Sequence, residues 1–176
     1  MTSMQQPDAV TALSPAQRLF PDLDSELAAT RRMLERVPED RMDWAPHDKS
    51  MTLGRLASHL AELPRLATLV ATLPEFAFDP TSFQPVTLGS RAELLAMFDE
   101  TSAAMRQGIE SLDWDQIDHR WVMRFGDRVL VDEPRGTVLR SLGLSHMGHH
   151  RAQLGVYLRL LDVALPRTYG PSADEQ

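Results

Sequence analysis

Four stretches of this chain repeat apolar residues every three or four positions, and prolines close three of them. A pattern with that period cannot lie flat as strands. It commits the sequence to amphipathic helices that bury one stripe against each other. The first stretch opens at Ser14-Pro15-Ala16-Gln17, where a serine cap, a proline at the first helical position and a glutamine three after the cap form a start signal. Pro21 re-aims it, because proline has no N–H to give. The main run carries Leu23, Leu27, Thr30, Leu34 and Val37 on one side and stops at Pro38. The second spans about 52–73, with Leu56, His59, Leu63, Leu66, Ala67 and Val70 inward and a kink expected at Pro64. The third starts at a capping box, Ser90-Arg91-Ala92-Glu93, and lines up Leu94, Phe98, Thr101, Met105, Ile109 and Leu112. The fourth runs from about 134 to 163, with Leu139, Leu142, His146, His150, Gln153, Tyr157 and Leu161 on one stripe.

Between the third and fourth helices, Trp121, Met123 and Phe125 alternate before Gly126-Asp127, and Val129 and Val131 alternate after it. This predicts a short β-hairpin. The expected fold is therefore all-α: a four-helix bundle plus this minor hairpin. The long connectors (about 38–51, 75–89 and 113–133) call for crossovers rather than simple up-down turns. With 176 residues, one domain over 14–176 is expected, preceded by a flexible tail at 1–13.

Several function classes fall away on composition. The chain has no cysteine, so it carries no disulfide, no thiolate metal site and no cysteine nucleophile. A formal net charge of -7 leaves none of the basic excess that nucleic acid requires. Every apolar run is cut by a charge or a proline, so no membrane span is expected. The start, MTSMQQPDAV, lacks a basic and an apolar region, so no signal peptide is expected and the protein is read as cytoplasmic.

The histidines are the informative residues. His146 and His150 stand four apart, on one side of a helix, where two imidazoles can reach one ion. His59 lies on the apolar stripe of another helix. Three imidazoles converging in an apolar interior are hard to satisfy without a ligand, because each neutral ring needs both a donor and an acceptor partner and charged rings would repel. Set against this, a lone buried histidine is usually hydrogen-bonded to a carbonyl, and a His-x-x-x-His pair is weak evidence on its own. His149 is expected to point away from His150, though it is an alternative ligand if the stripe is turned. His47 and His119 fall in loops and are given no role. Met147 stands where the zinc-protease motif has its glutamate, and Gly143 and Met147 stand where a di-iron bundle would need carboxylates.

The run SHMGHHRAQLGVYLRLLDVALPRTYGPSADE resembles the last helix and tail of the DinB/YfiT-like metalloprotein family, and WAPHDKSMTLGRLASHLAELP resembles its second helix. The resemblance covers about residues 15–175. It implies the family's four-helix bundle, with His59, His146 and His150 as ligands to a divalent metal such as nickel, zinc, iron or manganese. It also implies a homodimer and, in related branches, thiol-dependent S-transferases and isomerases that use low-molecular-weight thiols.

Three neutral ligands leave a coordination position open and leave the ion its full charge. That supports two chemistries on a small-molecule substrate: hydrolysis, or activation of a thiol brought in as cosubstrate. No catalytic residue is assigned. The candidates are Gln153, on the inward stripe, Tyr157 one turn further, Arg151, which would hold an acidic substrate or brace a carboxylate, and Glu62, three after His59, as a partner or base. Trp121 is a candidate cap for the pocket. The competing reading is a non-catalytic, metal-stabilised bundle that acts in stress response or as a binding module.

Overall fold

A computed structural model describes residues 13–82 and 84–175. The tail expected at 1–13 lies, but for Leu13, outside the described residues. The two serine signals form as read. Ser14 caps α1 (Pro15–Leu19) in a complete capping box with Gln17, and Ser90 does the same with Glu93 for α5 (Arg91–Glu110). Pro21 separates α1 from α2 (Leu23–Leu34). Pro64 divides the second run into α3 (Leu53–Glu62) and α4 (Pro64–Thr72), taking the first position of α4, where its missing N–H costs nothing.

The β-element is larger than a hairpin. Strands β2 (Arg120–Phe125) and β3 (Arg128–Pro134) pair antiparallel around Gly126, whose φ of 55° is a conformation glycine adopts without strain. A third strand, β1 (Phe76–Phe78), comes from the proline- and phenylalanine-rich connector and pairs parallel with β2. Parallel strands need a crossover, and α5 supplies it. The fold is thus mostly helical with a three-stranded sheet, which corrects the all-α expectation.

The last helical run is not uniform. It begins as α6 (Arg135–Val138), widens into a π-helical segment (Leu139–Ser145) and continues as α7 (His146–Leu160). A π turn holds about one residue more than an α turn, so the apolar stripe changes phase there. Upstream the buried large apolar residues are Val138 and Leu139; further along they are Leu144, Met147, Leu154 and Leu158. The stripe read from the sequence runs one step to the side of this, which places His146 and Gln153 at the edge of the core instead of its centre. The π segment packs on α4, while α7 packs on α3 and α2. Gly143 permits the close approach to α4 and α5: a Cβ there would meet Ala67 Cβ and Met105 Cε, each at 3.2 Å.

Two side chains given functional options turn out to hold the core together. Trp121 is 1% exposed and donates its indole N–H to the Leu73 carbonyl at 3.0 Å. That position is about 20 Å of helix away from His59, so Trp121 fastens the sheet to the end of α4 and is no cap for the histidines. Arg151 is 3% exposed and ion-pairs with Glu26 of α2 at 2.7 Å, while its other nitrogen donates to the Glu26 carbonyl and Thr30 Oγ1. Tyr169, from the chain beyond α7, completes this network by donating to Glu26 Oε2 at 3.0 Å. Arg151 braces a carboxylate, as one of its readings had it, but turned toward α2. No helix among the described residues is long and apolar enough to cross a membrane.

Candidate metal centre

Three imidazoles meet between α3 and α7. His59 sits in the last turn of α3, and His146 and His150 sit in the first two turns of α7. The ring centroids of His59 lie 5.4 Å from His146 and 4.6 Å from His150, and those of His146 and His150 are 4.7 Å apart. Nε2 of His146 and Nε2 of His150 face each other at 2.9 Å. One nitrogen from each of the three residues lies within 4.8 Å of the others.

The neighbours fix which nitrogen carries the proton. Nδ1 of His59 is 3.0 Å from Glu62 Oε1. A carboxylate only accepts, so a neutral His59 holds its proton on Nδ1 and keeps the Nε2 lone pair free. Nδ1 of His150 is 2.7 Å from Gln153 Oε1, with the same result. Both pairs follow the helix spacing of three residues, which brings side chains together on one face. Nδ1 of His146 is buried and has no partner. The surroundings of His146 and His150 favour their neutral forms. Burial first, then the charges of His150, His59 and His149, push His146 down to about 4 from 6.5. His150 is lowered too, by burial first and also by His59, His149 and Arg55, against an opposing hydrogen bond from Gln153.

These residues fit a divalent ion. The donor set is three imidazole nitrogens, two on rings whose opposite nitrogen faces an acceptor, which is how metal-binding histidines are commonly held. Nitrogens about 2.0–2.1 Å from one tetrahedral ion stand about 3.4 Å apart. The His146–His150 pair is already near that spacing, and the widest separation, at most 4.8 Å, needs side-chain movements of up to about 1.4 Å to close.

The remaining candidates divide. Glu62 stands behind His59 and is itself held by Arg55, whose Nη2 is 3.2 Å from Glu62 Oε1 and whose Nη1 donates to the Val86 carbonyl at 3.1 Å. Gln153 stands behind His150, so its carboxamide oxygen is engaged with a ring nitrogen. Tyr157 is engaged elsewhere: its hydroxyl donates to the Met51 carbonyl at 3.2 Å, and its ring packs edge-on to Trp44 at 5.6 Å. Arg151 points to Glu26, away from the imidazoles. His149 is exposed, 4.8 Å centroid to centroid from His150, on the outer side of α7. His47 caps its own loop, accepting from the Lys49 N–H at 3.1 Å, and His119 lies exposed before β2. Arg55 was missed by the sequence reading. Its signal was its place four residues before His59 and seven before Glu62, on the same helical face.

Residues 22–154 match the DinB superfamily. The uncharacterized protein YrdA of Bacillus subtilis is 27% identical over 150 residues, which is 85% of each chain. A DinB-like protein from Bacillus cereus has a similar fold, with a TM-score of 0.65 and 20% identity over 86% of this chain and 95% of that one. The DinB-like protein YjoA of Bacillus subtilis gives a TM-score of 0.61 and 19% identity over 90% and 99%. A third, described as a putative DinB family member from Exiguobacterium sibiricum, gives 0.59 and 19% over 89% and 98%.

Proposed function

The chain belongs to the DinB superfamily, and from that premise we propose that it is a metal-dependent enzyme whose divalent ion is held by His59, His146 and His150 inside a crossover four-helix bundle. The reaction class is activation of a small acid, a low-molecular-weight thiol or a water, for attack on a small electrophilic substrate. The observation that carries this reading is the 2.9 Å approach of the Nε2 atoms of His146 and His150, both part-buried, with a third imidazole beside them.

A divalent ion in this place supplies Lewis acidity, which lowers the pKa of an acid brought to it. The chain's own residues supply the rest. His59, His146 and His150 present neutral nitrogens, so no ligand charge offsets that of the ion. Glu62 keeps the His59 proton on Nδ1, Gln153 keeps the His150 proton on Nδ1, and Arg55 pins Glu62. With no cysteine in the chain, a thiol has to arrive as a cosubstrate. Nickel, zinc, iron and manganese all accept imidazole, and the donor set does not choose among them. A homodimer is part of the same reading.

A second reading rests on the same placement. Because the histidines come from α3 and α7, an ion would staple the two helices and stabilise the fold without turnover. Elemental analysis of untagged protein tests the common premise: about one equivalent of divalent metal is expected per chain, and little in H150A. Unchanged metal content in H150A refutes the site. Turnover of a thiol with a panel of electrophiles, run beside ester and amide substrates, then separates transferase, hydrolase and inert staple.

A further inference from the structure

The three histidines differ in what stands behind them. The far nitrogen of His59 meets a carboxylate, Glu62 Oε1, at 3.0 Å. The far nitrogen of His150 meets a neutral amide oxygen, Gln153 Oε1, at 2.7 Å. The far nitrogen of His146 is buried and meets nothing. We propose that this series grades the ligands, with His59 the strongest donor, His150 intermediate and His146 the weakest, and that Glu62, Arg55 and Gln153 are the positioning residues that set the order. The inference rests on the metal reading above.

The chemistry follows from where the proton goes. When Nε2 gives its lone pair to a cation, electron density leaves the ring and the Nδ1–H becomes more acidic. An acceptor behind it returns density through the hydrogen bond, an anionic one more than a neutral one. Glu62 is that anion for His59. Arg55 grips the same carboxylate oxygen and is anchored in turn to the Val86 carbonyl, so the acceptor is held in place from both sides. Gln153 does the same for His150 with a dipole in place of a charge. His146 would have to hold a polarised N–H in a buried position with no acceptor, which opposes its binding. The ring that gives way when a substrate crowds the ion is therefore His146, although it and His150 are neighbours on one helix.

Zinc affinity, measured by competition with a chromophoric chelator on untagged protein, tests the order. Glu62→Gln is nearly isosteric, at a partly buried position outside the ligand set, and it should weaken zinc binding by about 10–100-fold. Gln153→Glu should tighten binding, a gain that a damaged fold does not mimic. Among the alanine variants, His146→Ala should lose the least affinity, by at least about 10-fold relative to His59→Ala. Circular dichroism melts of each variant confirm that folded protein is being compared. Loss in His146→Ala equal to that in His59→Ala, or an unchanged affinity in Glu62→Gln, overturns the inference while leaving the metal site standing. A wild type that takes up no zinc overturns the metal site and the inference together.

Discussion

Nε2 of His146 and Nε2 of His150 stand 2.9 Å apart, one helical turn from each other, in a setting that keeps both rings uncharged. Two such nitrogens cannot both carry protons at that distance. They share one proton or one cation, and acid works against either arrangement.

Stability of the metal-free protein should therefore fall in mild acid. His146 is held at about 4 against 6.5 for a free imidazole, chiefly by burial. Between those values the unfolded chain binds a proton that the native chain refuses, so this contribution is complete above about 6.5 and is lost as the pH falls toward 4. Partial exposure of the ring screens it to on the order of 2 kcal/mol. Urea midpoints of chelator-treated protein at about pH 7.5 and about pH 4.5 measure the fall. His146→Gln should show a shallower dependence, and equal slopes would refute the assignment.

Loading with metal should raise the melting temperature, since an ion that binds only the native arrangement stabilises it by about 4 kcal/mol at a thousandfold excess over its dissociation constant. Adding zinc to chelator-treated protein should restore the lost melting temperature in the wild type and not in H150A. A zinc response retained in H150A would mean that the ion sits elsewhere.

Arg151→Met should destabilise the protein by about 3–5 kcal/mol, because it strands the Glu26 carboxylate in the interior. Adding Glu26→Leu should recover most of the loss. Metal content should stay near that of the wild type in the double variant, since this pair faces α2. Loss of metal there would show that the guanidinium also serves the imidazoles.

Gly143→Val should cost about 1–3 kcal/mol by forcing Ala67 and Met105 apart. Thermal melts beside Gly148→Ala make the comparison. A Cβ at Gly148 meets nothing within 4 Å, and alanine favours a helix over glycine, so the second change should stabilise by up to about 1 kcal/mol. A loss at Gly148 as large as that at Gly143 would mean that close packing around the π segment does not set the effect.

The helical part of the fold was legible because its signals are local. Capping boxes at Ser14 and Ser90 and prolines at 21 and 64 act within a turn, and the buried positions of α5 fall where a 3.6-residue period puts them. The meeting of His59 with the His146–His150 pair was legible for the same reason, as was Glu62, by its spacing of three. Strand β1 was not, since three residues between prolines carry no period and its pairing with β2 depends on a segment 47 positions away. Nor was Arg151, whose partner on α2 is set by tertiary packing and lies 125 positions distant. The π segment was hidden as well: nothing in Leu139–Ser145 announces a wide turn, and the phase change it causes shifted the stripe on which His146 and Gln153 were placed.

That wide turn ties two inheritances together. Removing its surplus residue would swing everything downstream by about 100° relative to the rods it leans on, carrying both imidazoles of α7 out of reach of His59. A single-codon deletion between Leu139 and Ser145 would separate the histidines as surely as replacing one of them.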